Sequence, residues 1–88
     1  MEWLDRLAEA LSVEPLSGQE VDRLLRASRD VAHRVERKAT PLNAYLVGIA
    51  VGRAVERGSG REAAFDEALD AVIVRLPDPP ADASEDDR

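Results

Sequence analysis

Asp30 and His33 stand three residues apart in a stretch otherwise rich in arginine. They are the pair in this chain whose types and spacing most resemble working chemistry. His33 is the only histidine, and imidazole is the side-chain type that changes charge near neutral pH. A carboxylate three residues earlier on a helix can hydrogen-bond it. Arg26, Arg29 and Arg37 fall on the same side of a helical wheel, and Thr40 follows at the adjoining turn. Two readings fit this group. One is a polar binding face for an anion or an acidic partner, with His33 and the arginines as donors. The other is a solvated helix face laced by i,i+4 pairs such as Asp22–Arg26, Arg26–Asp30 and Asp30–Arg34, each worth a few tenths of a kcal/mol. A catalytic His–Asp pair would need a positioned nucleophile, and no motif supplies one. Two candidate ligands do not make a metal site. Gly58-Ser59-Gly60 is too short for a phosphate loop and follows no strand. Neither a catalytic residue, a metal nor a cofactor is expected.

Composition narrows the classes further. The chain has 88 residues, 34% of them charged, with a net charge of −6 and no cysteine. That length makes one domain of modest stability, and the missing cysteines exclude disulfides and thiolate metal sites. The charge is uneven. Pro77 to Arg88 hold five acids and one arginine, whereas Arg23 to Lys38 hold six basic and two acidic residues. An acidic chain with one basic helix face is a poor nucleic-acid binder. Met1 to Asp5 lack the basic start and apolar core of a secretory signal, so a cytoplasmic location is expected.

These side chains must be positioned by helices, and four can be read. Trp3, Leu4, Leu7, Ala8 and Leu11 share a face of a first helix, from Glu2 to about Leu11, which Pro15 separates from the next. Ser17-Gly18-Gln19-Glu20 is a capping box with a Leu16/Val21 staple. It opens a second helix whose apolar stripe is Val21, Leu24, Leu25, Ser28, Val31, Ala32 and Val35, fading near Arg37-Lys38. Thr40 is the expected N-cap of a third helix, with Pro41 at its first position and Gly58 as its left-handed terminator. Ser59-Gly60-Arg61-Glu62 reads as a second capping box, and Phe65, Ala68, Leu69, Val72, Ile73 and Leu76 form the stripe of the fourth helix. A short strand over Ala71 to Val74 is the alternative there. The expected architecture is all-α: a compact bundle of four helices over residues 1–76, with a central apolar helix at about 40–57 and a disordered acidic tail over 77–88.

Residues 39 to 52, ATPLNAYLVGIAVG, carry no charge at all. Fourteen residues are too few to span a bilayer, which needs about twenty, so no membrane role is expected. A helix apolar on every side is ordinarily buried, which makes this one the central strut and Trp3 another core residue. Ala44, Gly48 and Gly52 recur every four residues. Two glycines inside a helix cost about 0.8–1 kcal/mol each relative to alanine, and close approach of another backbone is the usual gain. The expected neighbour is a helix of the same chain, which would make Gly48→Leu destabilising through overpacking. A homodimer seam or room for a flat ligand are the alternatives.

The stretch ASRDVAHRVERKATPLNAYLVGIAVG, residues 27 to 52, resembles a family of uncharacterised small helical domains from high-GC bacteria. Asp30, Val31, Ala32 and His33 match its first block, and Pro41, Leu42, Tyr45, Leu46, Gly48, Ala50 and Gly52 its second. Ser28, Lys38 and Asn43 depart from the usual pattern without breaking the capping or packing logic. Such domains occur alone or fused behind a guanylyltransferase that attaches GMP to molybdopterin. The resemblance implies a link to molybdenum-cofactor biosynthesis, with that enzyme as a candidate partner, and carries no catalytic residue. The expectation is therefore a non-enzymatic accessory or interaction module acting through Arg26, Arg29, Asp30, His33, Arg37 and Thr40. A small anion- or nucleotide-binding module and a self-associating structural domain are the alternatives.

Overall fold

The computed structural model describes residues 1–79; most of the expected acidic tail lies outside them. The described residues form four helices and no strand: α1 (Glu2–Ala10), α2 (Gly18–Arg34), α3 (Ala39–Glu56) and α4 (Arg61–Ile73). The strand alternative at Ala71–Val74 is not adopted, since α4 runs through Ile73.

Local signals explain most of the boundaries. α1 ends in a Schellman turn. Ser12 takes φ 59°, Val13 N–H donates to the Ala8 carbonyl at 3.0 Å and Ser12 N–H to that of Glu9 at 3.1 Å, so three-dimensional closure precedes Pro15. α3 ends the same way. Gly58 sits at φ 108°, and the Ser59 and Gly58 N–H groups donate to the Ala54 and Val55 carbonyls. The α2 capping box forms as expected. Glu20 N–H donates to Ser17 Oγ at 3.1 Å, and Ser17 N–H donates to Glu20 Oε1 at 2.9 Å.

Three boundaries differ. α2 stops at Arg34 rather than near Lys38, with Val35 leaving the helical region at φ −111°, ψ −84°. Since α3 begins at Ala39 and both helices pack together, the chain must reverse within residues 35–38. Thr40 is not the N-cap of α3. Lys38 occupies that place in a helical conformation without a capping side chain, because the turn already coils: Ala39 and Thr40 N–H donate to the Glu36 and Arg37 carbonyls. Pro41 is then the third helical residue, still within the first turn, where its missing N–H is harmless. The second capping box does not form either. Ser59 is held in the terminator of α3, one residue too early, and Gly60, which has no side-chain oxygen, caps α4 in an extended conformation.

The core lies among α2, α3 and α4. Ala27, Val47, Phe65 and Leu69 are its buried centre, with Leu24, Val51, Ala68 and Val72 packed around them. α3 packs against both α2 and α4, so it is central in connectivity. It is not buried all round. Val47 is its one buried residue among the described positions, while Leu42 is 67% exposed, Tyr45 72% and Leu46 66%. α1 contributes only Ala8 to the buried set, and Trp3, expected in the core, is exposed. In α4 the expected stripe holds for Phe65 through Val72, but Ile73 is exposed. The glycine stripe also departs from expectation. Apart from the backbone of α3 itself, no atom of the described residues lies within 4 Å of where a Cβ at Gly48 or Gly52 would stand, so no other described helix packs closely on them, and the overpacking expected of Gly48→Leu has no cause among the described residues.

Ser17→Ala is expected to cost about 1 kcal/mol in denaturant unfolding, because it removes a formed cap. Ser59→Ala is expected to stay within about 0.5 kcal/mol, because its hydroxyl caps nothing. Equal losses at the two serines would contradict these helix starts.

Candidate functional site

The polar face of α2 is built much as its spacing dictates. Arg26, Arg29 and His33 are exposed on one helix face and Asp30 is half-buried beside them. Arg37 is exposed in the turn that follows, just past the end of α2. Thr40 does not join them. It is half-buried in the first turn of α3, and its Oγ1 is buried without a hydrogen-bond partner among the described residues. The close charge-pairs of the described residues also lie elsewhere than the expected Asp22–Arg26–Asp30–Arg34 ladder. Among the described residues, no three His, Asp or Glu side chains gather into a group that could hold a metal.

The densest polar constellation is one that local patterns did not announce. Glu20 is buried, at 9% exposure. Arg61, the first residue of α4, clasps it with both arms: Nε donates to Oε2 and Nη2 to Oε1, each at 2.8 Å. The same guanidinium donates to the carbonyls of Glu14 (3.3 Å) and Pro15 (3.1 Å) in the α1–α2 loop. Oε1 of Glu20 meanwhile closes the cap of α2. One carboxylate and one guanidinium therefore join the loop and the starts of two helices. A cation at the N-terminus of α4 opposes the helix dipole, and this bidentate pair offsets it. The arginine contact, ahead of the opposing effect of burial, holds the Glu20 carboxyl below its ordinary value, and the same contact pushes Arg61 upward.

Beside this pair, Arg23 stacks its guanidinium 5.5 Å from the centre of the Phe65 ring. It also pairs with Asp66 and, at 3.9 Å, with Asp70. Glu14, Pro15, Gln19, Glu20, Arg23 and Arg61 help line a cleft of about 290 Å³. Its two arginines already have carboxylate partners, so an anion would have to displace Asp66 or Glu20. Chemically the cleft is a clamp.

Apolar surface forms the larger feature. Fifteen of the chain's twenty-five Leu, Ile, Val, Met, Phe, Trp and Tyr side chains are exposed. They are ordered. Leu42, Tyr45, Leu46 and Ile49 form one helical stripe on the outside of α3, and Trp3, Leu7 and Leu11 another on α1. Two grooves flank α3. One, of about 490 Å³, runs past Val35, Leu42, Leu46, Ala50 and Val72. The other, of about 530 Å³, runs past Leu16, Leu24, Ala44, Gly48, Gly52 and Val55. The small-residue stripe is thus a groove wall open to the outside. No helix among the described residues is long and apolar enough to cross a membrane.

A four-helix unit with a clamp and an open apolar side defines a small all-α domain. The chain belongs to the family described as a domain of unknown function, DUF6457, whose model matches residues 1–84. No curated protein and no solved structure matches it.

Linkage gives the clamp a sign. A carboxylate whose folded pKa is depressed contributes stability that is present above its unfolded value and lost as pH falls through the folded one. Thermal stability is therefore expected to fall below about pH 4.5. Glu20→Gln should be destabilised at pH 7 by roughly 3 kcal/mol, and its stability should fall less steeply between pH 5 and pH 3, read by melting across that range. Parallel pH curves for the variant and the parent would contradict the clamp.

Proposed function

We propose that this protein is a non-enzymatic interaction module that works by offering an ordered apolar surface to a protein partner. The observation that carries this reading is the exposure of fifteen large apolar side chains, among them helical stripes of Trp3, Leu7 and Leu11 at α1 and of Leu42, Tyr45, Leu46 and Ile49 on α3. Soluble monomers rarely keep a large contiguous apolar patch unless something binds there. The charged groups argue in the same direction. The chain's one histidine and the surrounding arginines lie on the exposed side of α2, where they can orient an acidic partner at the rim of a contact whose centre is apolar.

The partner proposed is a guanylyltransferase of molybdenum-cofactor biosynthesis. It rests on the resemblance of residues 27–52 to domains fused behind such enzymes, and a cytoplasmic location goes with it. A small anion- or nucleotide-binding module on the α2 face of Arg26, Arg29, His33 and Arg37 is the alternative; the cleft arginines add nothing to it, since Arg23 and Arg61 are engaged by Asp66 and Glu20.

Light scattering on a sizing column, run on the protein mixed with the guanylyltransferase of its own genome, tests the partner. The expected result is a shared peak of defined stoichiometry that is lost with Trp3→Glu or Leu7→Glu and only weakened by His33→Ala. Two independent peaks would remove this partner.

A further inference from the structure

The outer face of α3 has a pattern that selects one occupant. Successive helical residues advance about 100°, so residues eighteen apart lie on one line after five turns. Lys38 and Glu56 are eighteen apart. Lys38 has helical dihedrals at the start of α3 and Glu56 is its last residue; both are exposed. Tyr45 and Ile49 fall within about 20° of the same line. The face thus reads, from one end to the other, cation, tyrosine, isoleucine, anion, and Lys38 is the only lysine in the chain.

We propose that this face is covered by α3 of a second copy of the chain, packed antiparallel across a two-fold axis near Val47. This rests on the interaction-module reading and names an occupant for one of its surfaces. The pattern is self-complementary, as a two-fold contact requires. In that register Lys38 of each copy lies beside Glu56 of the other, twice, and Tyr45 lies beside Ile49. Leu42 and Leu46 of both copies line one flank of the seam, and Gly48 and Gly52 of both line the other. Arg53 stays at the rim. A parallel arrangement would set lysine against lysine and align the helix dipoles.

The apolar centre supplies over half of the area a stable interface takes. Large side chains present on the order of 200 Å² each when fully exposed. At their exposures of 67, 72, 66 and 42%, Leu42, Tyr45, Leu46 and Ile49 offer on the order of 500 Å² per copy. A stable interface takes about 800 Å² from each partner, and Lys38, Pro41, Ala50, Arg53 and Glu56 surround the apolar centre.

Sedimentation equilibrium at about 100 µM, a concentration well above a micromolar dissociation constant, tests the proposal. The wild-type chain is expected at twice its 9.6 kDa mass. Tyr45→Glu should give the single-chain mass with unchanged helix content, since this side chain is exposed in the single chain. Lys38→Glu and Glu56→Lys should each weaken dimerisation by about tenfold, and the double exchange should restore it. A single-chain mass for the wild type overturns the proposal, as does a dimer indifferent to Tyr45→Glu or a double exchange that fails to rescue. A wild-type monomer that still co-elutes with the guanylyltransferase contradicts self-association alone. One that does not co-elute removes both readings.

Discussion

The bidentate contact between Glu20 and Arg61 is the constraint on which the described structure turns. It joins residues 41 apart in sequence, closes the cap of α2, fixes the first residue of α4 and holds the carbonyls of the α1–α2 loop. A chain of 88 residues buries a small core, and among the described residues Leu69 is the one large side chain fully buried. A buried, paired charge at the end of such a core sets which helix ends meet, a matter of geometry more than of net stability. Phe65, one turn on from Arg61, is thereby delivered to the core and to the guanidinium of Arg23.

The same geometry leaves apolar surface over. With α2 and α4 both packed on one side of α3, its opposite side has no neighbour within the described chain. α1 does not cover it: its own stripe of Trp3, Leu7 and Leu11 is exposed as well. The interaction-module proposal therefore rests on surfaces, the polar side of α2 and the apolar sides of α1 and α3, which present different chemistries.

Much of the fold was legible because its signals are local. The Ser17 capping box, the Gly58 terminator and the stripe from Phe65 to Val72 depend on residues within a turn or two of one another, and the all-α class follows from them. The starts of α3 and α4 escape local patterns for the same reason. Thr40 and Ser59 have good capping side chains, but neighbouring turns had already claimed their backbones. The Glu20–Arg61 clamp was invisible because each residue had a complete local explanation inside a capping motif; the one hint was an arginine at a helix N-terminus, where the dipole disfavours it. The charge-free run of α3 has the pattern of a buried helix, yet periodicity reports that a face is apolar and cannot say which molecule covers it. Leu46 and Gly48 look identical in the sequence whether their neighbour is α4 or another copy.

The central claim is that the apolar face of α3 is completed by association, and melting as a function of concentration tests it most directly. If the folded chain gains its last stability from a partner copy, mass action makes the midpoint climb as the protein is taken from about 5 to about 500 µM. A midpoint that stays the same across that range would contradict the account, because the exposed stripe of Leu42, Tyr45, Leu46 and Ile49 would then be stable facing water.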